Sequence, residues 1–277
     1  MDSVGCLGSG QIDWIPAPFV KAWSSGYEAA ADAWYVSDTH SAPWAAIGRL
    51  AVQSVDEANS LVDKLVAGST ELAASPTHRM LIAADSYAGF GTTTDAFERT
   101  ATELADLCRT GEVQADVWFK SQSAAPSTDL RVQVNAGVDV LGYVGHGSLS
   151  GWSSDPVLVN SATANEWSGA RPFIVFSWTC FDGAFVGPWA ESVAWSLVRS
   201  PHGGPIAAMA ATTMEDPEAL GEMARQLLCK MTSGQPDRIG DALRLAKGAL
   251  AGGSMAMENL LLTYGLLGDP TTPNPWR

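Results

Sequence analysis

The stretch VDVLGYVGHG, residues 138–147, is apolar for most of its length and ends in a histidine between two glycines. Apolar runs of this length, closed by small residues, suit strands buried on both faces of a parallel sheet. RMLIAAD (79–85), RPFIVFSWTC (171–180) and GPIAAMAATT (204–213) read the same way. VQADVWFK (113–120) alternates enough to add another strand. Helical patterns lie between and after these runs. In SVDEANSLVDKLVAG (54–68), Ser54 is the expected N-cap with Glu57 three residues on, and Ala58, Leu61, Val62, Leu65 and Val66 form the apolar stripe. Further helices are expected at 93–108, briefly around TDLRVQVNAG, and at 190–200, 217–232 and 239–252. Strands alternating with helices predict an α/β fold with a mostly parallel sheet, in one domain.

Ligands of such sheets gather at the carboxyl ends of the strands. His146 and Cys180 both fall there, separated by 180 − 146 = 34 residues. A thiol and an imidazole facing one crevice suit acyl transfer. The thiolate attacks a carbonyl carbon, and the imidazole protonates the departing amine or activates water. Gly147 would let the backbone turn and offer its N–H to the developing oxyanion, with the Cys180 N–H as second donor. Ser148, Trp152, Trp178 and Asp182 are the expected cleft-lining residues, and Trp189 lies close in sequence.

The 277 residues carry 30 acidic against 16 basic side chains, a net charge of −14, with 46% hydrophobic residues. That balance argues against nucleic acid and anionic membranes as partners. No run reaches the ~20 apolar residues of a membrane span. The opening MDSVGCLGSGQIDWIPAPFV has no signal-peptide pattern and reads as the tail of something longer. Residues 1–46 are therefore expected to be a loop-rich remnant of an upstream part, and 47–277 the catalytic core. Cys6, Cys108, Cys180 and Cys229 have no metal-site spacing, and Cys108 and Cys229 sit on apolar helix faces. His40, His78 and His202 lie in apparent loops with nothing to pair them. Asp269, in GLLGDPTTP, reads as a turn former.

YVGHGSLSGW followed by FIVFSWTCFDGAF resembles the His and Cys blocks of gingipain-type cysteine peptidases, relatives of caspases and legumains. DAWYVSD (32–38), AAIGRLAVQSVDEANSLVDKLV (45–66), GGPIAAMAATT (203–213) and LLTYGLLGDPTTP (261–273) fall in the family's order, with Ala51 where it commonly has Pro. The resemblance covers roughly residues 12–273. It implies a caspase-like three-layer α/β/α sandwich and a His146–Cys180 dyad, with the Gly147 and Cys180 amides as the oxyanion hole. It also implies an acidic residue that orients the histidine. Asp85 fits by its place at a strand end, with Asp95 and Glu98 as alternatives. The substrates implied are proteins or peptides. A preference for Arg or Lys would assign Asp182 as the reading carboxylate. No cofactor is required, although calcium is compatible with the family. Export or surface display in a bacterium is implied, and so is a missing upstream half or partner chain. Two other readings stay open: an inactive caspase-like module in a binding or secretion role, and a transpeptidase using the same thioester.

Overall fold

The structure, a computed structural model, describes residues 15–23, 25–37, 42–75, 77–86, 95–186, 191–201 and 203–277. Its centre is a six-stranded sheet. In chain order the strands are β1 (Phe19–Lys21), β2 (Glu28–Ala30), β3 (Arg79–Ala84), β4 (Gln114–Phe119), β5 (Val140–Val144), β6 (Gly147–Ser148), β7 (Gly151–Trp152), β8 (Val159–Asn160), β9 (Phe173–Trp178), β10 (Pro205–Ala211) and β11 (Tyr264–Gly268). The large sheet runs β11-β10-β9-β5-β3-β4, parallel except for β11, which pairs antiparallel with β10. Every residue of β5, β9 and β10 is buried. That is why these segments read as continuous apolar runs rather than alternating ones.

Among the described residues, seven helices surround the sheet: α1 (Val55–Ala73), α2 (Ala96–Thr110), α3 (Pro126–Asn135), α4 (Val193–Arg199), α5 (Pro217–Thr232), α6 (Ile239–Leu250) and α7 (Met255–Thr263). Helices α2, α5, α6 and α7 pack on one another, whereas α1 and α4 lie against β10. The result is the expected three-layer sandwich. The caps follow the sequence: Ser54 accepts from the Glu57 N–H, Asp95 from Phe97 and Glu98, and Asp216 from Ala219. The reciprocal half of the α1 box departs from expectation, because the Glu57 carboxylate takes the Gln53 N–H. The buried row of α1 is Leu61, Leu65, Gly68 and Leu72, while Val62 and Val66 face solvent. Gly68 sits where a Cβ would lie 2.5 Å from Ile206. This close approach draws the row around to Leu72 and leaves the valines outside.

The described residues before α1 include regular elements beside their loops. β1 and β2 form a hairpin, and Asp32–Val36 a 3-10 turn. Asp32 binds the Arg49 guanidinium through both oxygens, and the Thr212 hydroxyl donates to the Ala30 carbonyl. Cys6, His40, Trp189 and His202 lie outside the described residues. Cys108 is buried as expected, its thiol pushed up to about 12 chiefly by burial. Asp269 closes its turn by accepting the Thr271 N–H.

Candidate active site

The register of the sheet builds the site. Strands β5 and β9 pair from Val140↔Ile174 to Val144↔Trp178, an offset of 178 − 144 = 34 residues. His146 and Cys180 keep that offset two positions beyond the last pair, so each follows the carboxyl end of its strand by two residues. Ala84 pairs with both Val144 and Phe119, which sets Asp85 and Lys120 beside the same edge. From β4 to β9 the carboxyl edge therefore carries Lys120, Asp85, His146 and Cys180 in spatial order. The segment after β10 closes the row with Thr212 to Glu215.

Both glycines around His146 are demanded by close approach. A Cβ on Gly147 would sit 2.5 Å from Thr179 Oγ1 and 2.8 Å from the Cys180 carbonyl oxygen. A Cβ on Gly145 would sit 2.5 Å from both the Asp85 Cβ and the Tyr143 hydroxyl. All four distances are shorter than real Cβ contacts, so a side chain at either glycine would push the histidine loop off its neighbours. The Thr179 hydroxyl, fully buried, donates to the Gly145 carbonyl at 2.6 Å and ties the two loops together.

The His146 main chain is held at both ends. Its N–H donates to Asp85 Oδ2 at 3.4 Å, and its carbonyl accepts from the Tyr143 hydroxyl and the Ser153 N–H, both at 2.7 Å. Its ring stands at the surface, edge-on to Phe97 at 5.0 Å between centroids. Asp85, expected to orient the histidine, contacts its backbone N–H. Asp95, the alternative, caps α2, and Glu98 accepts from the Ser121 hydroxyl.

Cys180 is half-buried. Phe181, at φ 60°, turns the chain out of the strand in the left-handed region that non-glycine residues rarely adopt. The thiol lies against the Glu215 main chain, 3.4 Å from its N–H and 3.7 Å from its carbonyl. Burial raises the Cys180 pKa, the Glu215 N–H opposes that, and the Glu215 charge adds to it. The surroundings of this thiol therefore raise its pKa on balance rather than lower it. Glu215 went unnoticed in the sequence, where EDPE reads as a helix start. Its buried carboxylate takes the Asn259 amide at 2.9 and 2.8 Å and the Thr263 hydroxyl. Burial pushes its pKa up to about 7.

Three expected cleft residues lie elsewhere. Trp152 is fully buried, its ring stacked on Tyr143 at 4.5 Å. Trp178 is buried against Gly142 and Phe176. Asp182 is also fully buried and accepts the Ala194 N–H at the start of α4. Burial pushes Asp182 up to about 6, while Ser177 and Trp152 face it and hold it down. Neither reaches it in direct hydrogen-bond geometry. All three side chains point into the layers beneath the edge, so they support the site from behind and touch no solvent. Ser148 does lie at the rim, exposed, with its hydroxyl on the Gly151 carbonyl. Among the described residues, no group of three or more His, Cys, Asp or Glu side chains is placed to hold a metal ion. No helix among the described residues is long and apolar enough to cross a membrane.

Comparison with known proteins agrees with this fold. The fold matches the Arg-specific cysteine proteinase gingipain R (RGPB) with a TM-score of 0.75 and 18% identity, over 94% of this chain and 61% of that one. It matches the complex of Porphyromonas gingivalis RgpB pro- and mature domains with a TM-score of 0.75 and 17% identity, over 93% and 62% of the two chains. The chain thus spans about three-fifths of the length of these structures. A more distant likeness reaches the Saccharomyces cerevisiae separase–securin complex, with a TM-score of 0.50 and 10% identity, over 75% of this chain and 13% of that one. No curated protein matches the sequence. The model of peptidase family C25 matches residues 2–275, nearly the whole chain, and the chain belongs to that family.

Proposed function

We propose that the chain is a cysteine peptidase that cleaves protein or peptide substrates through a thioester on Cys180. The observation that carries this reading is the packing of Gly147 onto the Cys180 carbonyl. It brings the histidine loop against the nucleophile's strand end. Cys180 Sγ attacks the scissile carbonyl carbon, and the thiol proton passes by way of His146 to the leaving amine. The C–N bond breaks and the acyl group remains on sulfur. Water then attacks the thioester, giving its proton to His146, and the acid leaves as the thiol is restored. The Gly147 and Cys180 N–H groups are the oxyanion donors in this scheme. The Glu215 N–H steadies the sulfur while it carries charge. Asp85 acts through the His146 backbone.

Burial keeps the thiol protonated at rest, so its proton leaves with substrate in place. A preference for basic residues, as in the Arg-specific gingipain R, needs a carboxylate other than the buried Asp182. Export from a bacterial cell is part of the proposal, by family analogy.

The raised Cys180 pKa favours one competing reading, a caspase-like module without turnover. A digest of a fluorogenic peptide library by the parent and by Cys180→Ala separates them. Cleavage by the parent that the variant lacks supports the peptidase. Equal cleavage, or none by a folded parent, rejects it.

A further inference from the structure

We infer that Lys120, which no part of the scheme above uses, is a positioning residue for His146. The inference rests on the peptidase reading for its kinetic meaning, though not for its geometry. Lys120 follows β4 and is 8% exposed. Its ammonium lies 3.3 Å from Asp85 Oδ1 and donates to the Ser153 hydroxyl and to the Asp155 carbonyl. The Ser153 hydroxyl donates in turn to Asp85 Oδ1 at 2.8 Å. Lysines are almost never buried unless paired, and a buried carboxylate is costly without its partner. The two charges therefore hold each other inside the protein.

What they hold is the histidine's main chain. Asp85 uses both oxygens on backbone donors: Oδ1 takes the Ser86 N–H at 2.8 Å and Oδ2 takes the His146 N–H. Ser153, joined to the same pair, donates its N–H to the His146 carbonyl. Ser153 sits at φ 66°, a conformation that persists where the surroundings over-determine it. Lys120, Asp85 and Ser153 thus form one neutral clamp closing on both main-chain polar groups of His146. An amide at position 85 cannot replace the carboxylate, because one of its ends would turn an N–H toward a backbone N–H.

The test compares the parent with K120M and with K120M/D85N, which removes both charges and so leaves none buried alone. Each is measured for kcat, KM, Tm and backbone amide exchange across residues 145–153. In K120M we expect a lower Tm, faster exchange confined to that segment, and kcat lower by about tenfold or more with KM within about threefold, since misplacing a reacting group by ~1 Å costs up to ~10²-fold. In K120M/D85N we expect Tm to return toward the parent value while kcat stays low and exchange stays fast. Parental kcat or parental exchange in K120M, or in a folded K120M/D85N, overturns the inference. If the parent cleaves no peptide, the peptidase reading fails by itself, and the exchange data still decide whether the clamp exists.

Discussion

His146 and Cys180 each lie two residues beyond the ends of neighbouring strands, yet the protein holds them in opposite ways. The histidine is fixed through its main chain by Asp85, Tyr143 and Ser153, and its ring is left at the surface. The cysteine is held by its side chain, half-buried against the Glu215 backbone. A residue gripped by its backbone has its position set independently of what its ring does. A thiol enclosed in a partly buried wall has its pKa raised. The contrast is between one residue positioned through its main chain and another enclosed by its side chain's surroundings.

Replacing His146 by Ala breaks the comparison most severely. Turnover should fall by roughly 10²–10⁴-fold, the range for loss of a general acid–base group. Alkylation of Cys180 by iodoacetamide should change little, because its resting pKa is set by burial and by Glu215. Peptide mapping of the labelled protein reads this directly, and a large drop in labelling would reveal a resting ion pair.

Next comes Gly147→Ala, whose methyl group would collide with Thr179 and the Cys180 carbonyl. A shift of the two loops apart by an ångström predicts a loss near 10²-fold in kcat. Steady-state kinetics beside a thermal melt separate this from unfolding.

A milder perturbation is Thr179→Val, which leaves the Gly145 carbonyl without its donor. An unsatisfied buried acceptor costs about 1–3 kcal/mol of stability. Denaturant titration measures it, and kcat should fall less than for Gly147→Ala.

Asp182→Asn sharpens the comparison without touching the reacting groups. The folded-state pKa of Asp182, about 6, lies above its ordinary value. The protonated acid therefore stabilises the fold. That contribution is fully present below about pH 4 and is lost as pH rises through 6. At ~1.4 kcal/mol per pKa unit, ionisation costs up to about 3 kcal/mol. The variant should match the parent at pH 4 and exceed it by up to that amount at pH 7.5, read from denaturant midpoints. A parent that gains stability over this range relative to the variant would contradict the burial argument.

Much of this architecture is legible in the sequence because it rests on local signals. The central strands are buried on both faces, so 140–144, 173–178 and 205–211 read as unbroken apolar runs. Ser54 and Asp216 announce their helices through cap chemistry. By contrast, α7 runs into β11 with no polar break, since MAMENLLLT and YGLLG share one apolar stretch. Only pairing with β10 tells helix from strand there. The small strands β6, β7 and β8 are too short to carry a period.

The site divides the same way. His146 and Cys180 show themselves by position, each closing an apolar run beside a glycine-bearing turn. Lys120 and Glu215 do not, because a charged residue at a strand or helix end reads as solvated. Their burial depends on partners distant in sequence: Asp85 and Ser153 for Lys120, Asn259 and Thr263 for Glu215. Trp152, Trp178 and Asp182 mislead for the complementary reason. Nearness in sequence to a catalytic residue says nothing about which face of the sheet a side chain enters.

The most direct test of the dyad is labelling by a mixture of peptidyl acyloxymethyl ketones, varied at the residue beside the reactive carbon, with intact-mass detection and peptide mapping. The account predicts one adduct on Cys180, formed far faster than reaction of that thiol with iodoacetamide and lost in His146→Ala. Adducts shared evenly between Cys180 and Cys229, or labelling of Cys180 indifferent to His146, would contradict it.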